Sequence, residues 1–79
     1  MNKARRNRLE RIISTLEEMR DELQSIAEEE RDAFENLPES LQYSERGELM
    51  EETADSLESS YDELDSIISD IQETLENSF

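Results

Sequence analysis

Apolar residues in the first half of the chain recur at alternating steps of three and four. The series is Leu9, Ile12, Leu16, Met19, Leu23, Ile26, Ala33 and Leu37. This spacing predicts an amphipathic helix with a heptad-like apolar stripe. Ile13, Ala27 and Phe34 widen the stripe toward the face expected of a bundle helix, and Glu30 stands where the next leucine would fall.

The second half of the chain repeats this spacing. Its apolar series is Met50, Ala54, Leu57, Tyr61, Leu64, Ile68, Ile71 and Leu75. Thr53 and Ile67 flank the stripe, and Phe79 closes it. No segment of any length alternates apolar and polar residues with a period of two, so a β-sheet is not expected.

Between the two halves lies a stretch with the only proline and the only glycine of the chain. Asn36 is expected to end the first helix in the left-handed conformation, and Pro38 favours extended backbone before it. The segment "PESL" is expected to form one short helical turn. Gly47 falls in the first turn of the second helix, where a small residue lets backbone or a side chain approach closely. These signals predict a helix over 3–36, a turn over 37–44 and a helix over 45–77.

The predicted helices have nearly equal lengths of ~50 Å, which suits an antiparallel hairpin. Basic residues at the start of the first helix and acidic residues at the end of the second both oppose the helix dipole, but in a hairpin these ends lie side by side and attract. The fold class is therefore an all-α antiparallel helical hairpin forming a single domain, 1–79. One continuous helix in an antiparallel dimer remains as a minor alternative.

A lone hairpin leaves much of its apolar stripe uncovered. Assembly into a four-helix bundle or a higher oligomer is therefore expected, with a homodimer favoured. A permanent partner chain would cover the stripe equally well.

The composition excludes several kinds of functional site. The chain has 79 residues, a formal net charge of −15, and neither cysteine nor histidine. Disulfides, thiolate zinc sites and cysteine or histidine nucleophiles are therefore excluded. No apolar run is long enough for a membrane span or a signal peptide, so the default expectation is a soluble cytoplasmic protein.

Charge is unevenly distributed along the chain. No basic residue follows Arg46, whereas acidic residues continue to Glu76. Such a surface repels nucleic acid and anionic lipid, so direct nucleic-acid binding and membrane binding are not expected. It suits a basic protein partner, or serves only solubility.

The segment "EEERDAFENLPESLQYSERGELMEETADSLE" contains the motif NLPE-x-LQ-x-SERG between acidic helices. In this it resembles a group of small acidic helical-hairpin proteins from Gram-positive bacteria and their phages. The resemblance covers roughly residues 28–58. It implies a specific role for the central turn, and a phage or mobile-element setting would favour a small inhibitory protein.

Five residues are candidates for partner binding: Glu30, Pro38, Leu41, Tyr43 and Arg46. A buried charge at the heptad position of Glu30 would set register or oligomeric state, by pairing with Arg46 across the turn or with Arg31 or Arg46 of a second subunit. The favoured interpretation places Glu30 at the rim of the stripe.

Leu41 and Tyr43 allow two interpretations. They form an exposed apolar knob for a partner, or they pack on Phe34 and Leu37 and close the end of the core. The second interpretation is favoured.

Three functions follow from these patterns. The leading hypothesis is a non-enzymatic acidic interaction module that self-associates and binds another macromolecule. The alternative is a nucleic-acid mimic that inhibits a DNA- or RNA-handling or defence protein. The least favoured is a magnesium-dependent nucleotide hydrolase, which requires converging carboxylates from Glu28, Glu29, Asp32, Glu48, Glu51, Glu52 and Asp55. A solvated acidic face explains these residues better, so no catalytic, metal or cofactor residue is predicted.

Overall fold

The fold is an elongated pair of antiparallel helices. The computed structural model describes residues 1–78 and contains α1 (Lys3–Glu35), α2 (Glu39–Gln42) and α3 (Glu45–Glu76). The chain measures 58 × 16 × 13 Å, and its radius of gyration is 17.7 Å, against about 12 Å for a compact chain of this length. The predicted all-α hairpin is confirmed in outline. Phe79, predicted to close the stripe, lies outside the described residues.

Each long helix begins at a side-chain cap. The Oδ1 atom of Asn2 accepts a hydrogen bond from the backbone N–H of Arg5 at 2.9 Å, which starts α1. The Ser44 hydroxyl oxygen accepts one from the N–H of Gly47 at 3.2 Å, which starts α3. Both caps satisfy a backbone donor that the helix itself leaves unpaired.

The core between the helices is thin. Its buried apolar residues are Ile13 and Ala27 from α1 with Ala54, Ile68 and Leu75 from α3. Of these only Ile68 is a large side chain enclosed almost completely. The remaining members of the predicted α3 stripe are half-buried, so the pattern placed this face correctly.

In α1 the predicted stripe is wrong by one row. Ile13 and Ala27, taken as widening residues, face the core. Ile12 and Met19, taken as central, are each 47% exposed, and Ile26 is 44% exposed. Two heptad rows lie on either side of the leucines of α1, and packing selects the row that contains Ile13.

Arg20 explains why the sequence favoured the other row. It occupies the position between Ile13 and Ala27 in the buried row, where a charge interrupts the apolar pattern. In the hairpin its Nη1 donates to Asp65 Oδ1 at 2.9 Å and its Nε to Asp21 Oδ1 at 3.2 Å. The aliphatic part of a long basic side chain can cover core residues while its charged end reaches the rim.

The end of α3 is capped by the start of α1. The guanidinium of Arg6 donates to the backbone carbonyl oxygens of Leu75 at 3.0 Å and Ser78 at 2.7 Å. The sequence predicted attraction between the basic start of α1 and the acidic end of α3. Between these ends the structure describes this hydrogen bonding of Arg6 to carbonyl oxygens.

A side chain from the turn, that of Gln42, caps the end of α1. Asn36 was predicted to be left-handed, but its φ of −83° and ψ of −5° lie in the right-handed region. The amide Nε2 of Gln42 instead donates to carbonyl oxygens at the end of α1, at 3.3 Å from Glu35 and 3.1 Å from Leu37. A long amide donor therefore caps the helix, and no strained backbone is needed.

The turn also presses against the start of α3. A Cβ atom added at Gly47 would lie closer than 3.0 Å to the backbone carbonyl oxygens of Leu41 and Gln42. Gly47 is buried, and its φ is not positive. Glycine is therefore required here for close approach of the backbone, as the sequence predicted, and not for an unusual conformation.

We expect Gly47→Ala to destabilise the hairpin, because the added methyl group must displace backbone at the turn. Alanine normally favours a helix by ~1 kcal/mol over glycine. Overpacking costs typically ~1–3 kcal/mol, so the net effect should be a loss of stability. Urea unfolding followed by circular dichroism at fixed protein concentration measures it.

The matched control is Ser59→Ala at an exposed position of α3. It should raise stability by a few tenths of a kcal/mol, through helix propensity alone. If Gly47→Ala also stabilised the protein, the close approach at the turn would be refuted.

Candidate functional site

One side of the hairpin carries its ion pairs, and we call this side the acidic face. Arg31 donates to Glu58 at 3.0 Å and also binds Asp55. Arg20 forms an ion pair with Asp65 to one side of this cluster. Hydrogen bonds to Glu58 and Asp55 raise the pKa of Arg31, so its charge is permanent.

The opposite side is apolar. The buried row is 13, 20, 27 and 34 in α1, and 54, 61, 68 and 75 in α3. Residues one position or four positions before each member of a buried row lie on the side away from the arginine–carboxylate pairs. We call these rows the apolar face: 9, 16, 23, 30 and 12, 19, 26, 33 of α1, with 50, 57, 64, 71 and 53, 60, 67, 74 of α3. Glu30 is the only charged residue in these rows. Among their members Ile12, Met19, Ile26 and Ile67 are 44–51% exposed.

Glu30 is partly buried within the apolar face. No ion pair joins it to Arg46 or Arg31 among the residues that the structure describes. Arg46 is exposed just beyond the end of one row. The hairpin therefore does not bring these two candidate residues together within one chain.

The remaining candidates lie on the turn. Tyr43 is 77% exposed and Leu41 is 49% exposed, so the favoured interpretation, in which they close the core, is wrong. Pro38 is exposed and begins α2 with extended backbone. The turn motif is explained structurally by Gln42, Ser44 and Gly47, whereas the exposure of Tyr43 has no structural role in the hairpin.

A groove of about 470 Å³ opens beside the turn on the acidic face. Its walls are Phe34, Gln42, Tyr43, Glu48, Glu51, Glu52 and Asp55. Asp55 is bound by Arg31, while the three glutamates have no ion-pair partner among residues 1–78. Carboxylates beside an aromatic ring attract cationic side chains by charge and by cation–π contact.

Carboxylates of the described residues are spread along the acidic face. Within the described part of the chain, no three Asp or Glu residues are placed to hold a metal ion together. Arg31 lines a separate depression, together with Glu28 and Asp32 of α1 and Glu58 of α3. A cation fixed at this point opposes the binding of a second one.

Neither long helix, over the residues described, has a stretch apolar enough to cross a bilayer.

Sequence reasoning missed the exposed row of α1 because it assigned that row to the core. The available signal was the alternative row through Ile13 and Ala27, hidden by Arg20. It also missed the groove, since only the hairpin register brings Tyr43 and Phe34 beside the glutamates of α3.

Comparisons with protein-family models, with curated proteins and with solved structures find no match to this chain.

Proposed function

We propose that this chain is a non-enzymatic acidic interaction module that self-associates and binds a basic macromolecule. The observation that carries the proposal is the separation of two surfaces. Apolar side chains share one side of the hairpin, and the ion pairs and the acidic groove share the other. Each surface suits a different kind of contact.

Self-association is supported by the thin core. Small domains rarely gain enough stability from one small core, and oligomerisation is a common remedy. The exposed isoleucines and Met19 follow one long side of the molecule and are not scattered over it. Contiguous apolar surface of this kind marks an interaction site.

Binding of a basic partner is supported by the turn end. The groove presents Glu48, Glu51 and Glu52 without counter-charges among residues 1–78, next to exposed Tyr43. Specific interfaces typically combine an aromatic anchor with charges that are complementary to those of the partner. A lysine or arginine side chain of a partner fits this chemistry.

A nucleic-acid mimic is the second candidate. One stripe of α3 carries acids at steps of three and four, about 5 Å apart along the helix: Glu48, Glu51, Asp55, Glu58, Asp62 and Asp65. Rows of carboxylates at this spacing resemble the charge of a phosphate backbone. Arg31 and Arg20 neutralise the middle of the row, which is why this candidate ranks second. A small inhibitory protein, acting either as an interaction module or as a nucleic-acid mimic, suits the phage or mobile-element setting that the sequence resemblance implies.

Self-association predicts a complex of twice the 9.3 kDa chain mass. We expect light scattering after size exclusion to give this mass over a dilution series, with dissociation only at low concentration. Ile12→Ser with Ile26→Ser should shift dissociation to higher concentration, because both side chains are on the apolar face. Ser59→Ala is the control. A fully helical monomer at every concentration would contradict self-association.

The acidic groove predicts binding of a basic peptide, for which octa-arginine is the probe. Affinity measured by calorimetry should fall steeply with salt. Neutralising Glu48, Glu51 and Glu52 together to Gln should weaken binding by about tenfold, and Tyr43→Ala should weaken it further.

The control neutralises three exposed glutamates away from the groove: Glu18, Glu22 and Glu63. This control variant removes three negative charges, as many as the groove variant removes. Equal losses for the two triple variants would show that only net charge attracts the peptide, and the groove would lose its assigned role.

A further inference from the structure

We infer that a second copy of this chain covers the apolar face in the opposite direction, with the turn of each hairpin against the chain ends of the other. The result is a four-helix bundle with a two-fold axis beside Met19 and Ile67. This inference rests on the proposed self-association and specifies its geometry.

The dimensions of the face suit a stable dimer. A side of 58 × 16 Å has an area of about 900 Å², against about 800 Å² per partner in a typical specific interface. The face contains no charge except Glu30, so a second apolar face can cover it without burying many ions.

The exposed row of α1 is symmetric about Met19. Ile12 and Ile26 lie seven residues before and after it, and Met19 is the midpoint of Lys3–Glu35. A two-fold axis at Met19 places residue n level with residue 38 − n of the other copy. Ile12 then meets Ile26 of the second copy, and Met19 meets its own counterpart.

The exposed residue Ile67 of α3 fits the same two-fold axis. The hydrogen bond between Arg20 and Asp65 fixes the register of the two helices. This contact places Ile67, 51% exposed, within about one helical turn of the level of Met19. It therefore also meets its counterpart near the axis, on the neighbouring pair of helices.

Charge selects the antiparallel orientation. Residues 28–55, at the turn end, include eleven acidic and two basic residues. At the other end, residues 1–11 and 70–78 include four acidic and five basic ones. Hairpins in the same direction would place the two strongly acidic ends together, whereas opposite directions place each beside a basic end.

The same axis gives Glu30 a counter-charge. It brings Arg8 of one copy level with Glu29 and Glu30 of the other, and Arg5 lies one turn away. Arg5 and Arg8 border an apolar depression with Leu9 on this face. None of these four charged residues has an ion pair within the described part of the chain.

Single cysteines test the orientation, because the protein has none of its own. Met19→Cys should form a disulfide-linked dimer under mild oxidation. Ile12→Cys, equally exposed, should not, because its copies would be ~21 Å apart, well beyond the ~4.4–6.8 Å that a disulfide spans. Mixing Ile12→Cys with Ile26→Cys should give a linked heterodimer.

A parallel arrangement gives a different result. There Met19 would face Ile67 of the other copy, so Met19→Cys would link to Ile67→Cys and not to itself. That outcome would overturn the orientation while leaving self-association intact. A chain that stays monomeric at all concentrations would instead remove both the dimer and the proposed self-association.

Charge exchange tests the Arg–Glu contacts. One variant carries Arg5→Glu and Arg8→Glu, and the other carries Glu29→Arg and Glu30→Arg. Both changes agree with the helix dipole, so α1 should remain folded. Each variant alone should dimerise on the order of tenfold more weakly than the parent protein, and an equimolar mixture should form heterodimers of parent-like affinity.

The control exchanges Glu28 and Asp32 for Arg, which alters net charge by the same amount on the acidic face. It should not weaken dimerisation, measured by sedimentation equilibrium. If the mixture of charge variants associated no better than its components, the proposed contacts would be wrong.

Discussion

The contact between the turn backbone and Gly47 is the constraint on which the rest of the hairpin depends. The carbonyls of Leu41 and Gln42 lie where any side chain at residue 47 would be. In the same segment the Gln42 amide caps α1 and the Ser44 hydroxyl caps α3. One short stretch therefore ends one helix, begins the next and fixes the angle between them. Long helices are stiff, so this geometry is carried along the whole 58 Å length.

The register set at the turn separates the two surfaces. It brings Arg31 beside Asp55 and Glu58, and Arg20 beside Asp65. Exposed ion pairs of this kind add little stability individually. Their importance is positional, because the arginines and their carboxylates occupy one side and the apolar rows are left together on the other. A rotation of either helix by one residue, about 100°, would mix the two surfaces.

The proposed self-association and the proposed binding of a basic partner use separate surfaces. A contact over the apolar face leaves the acidic groove and exposed Tyr43 accessible. The hairpin thus combines a surface suited to stable assembly with one suited to charge-steered recognition. In the proposed dimer, the covered apolar face would add to the small core of the single hairpin.

The pattern of residues along the chain predicts the helices, the position of the turn, the need for a small residue at Gly47 and the buried stripe of α3. These depend on local signals: heptad spacing, caps and a single glycine, which act within a few residues. Which row of α1 is buried depends on packing against α3, because two rows share the same leucines and the choice depends on whether Arg20 reaches Asp65 on the other helix. The same holds for Asn36, since the cap from Gln42 replaces the left-handed turn, and for Tyr43, whose exposure depends on the direction in which α2 leaves α1. The candidate groove combines residues from α1, the turn and α3, so no spacing along the chain could show it. Contacts between residues distant in sequence are set by the register of packed helices, and that register has no local signature.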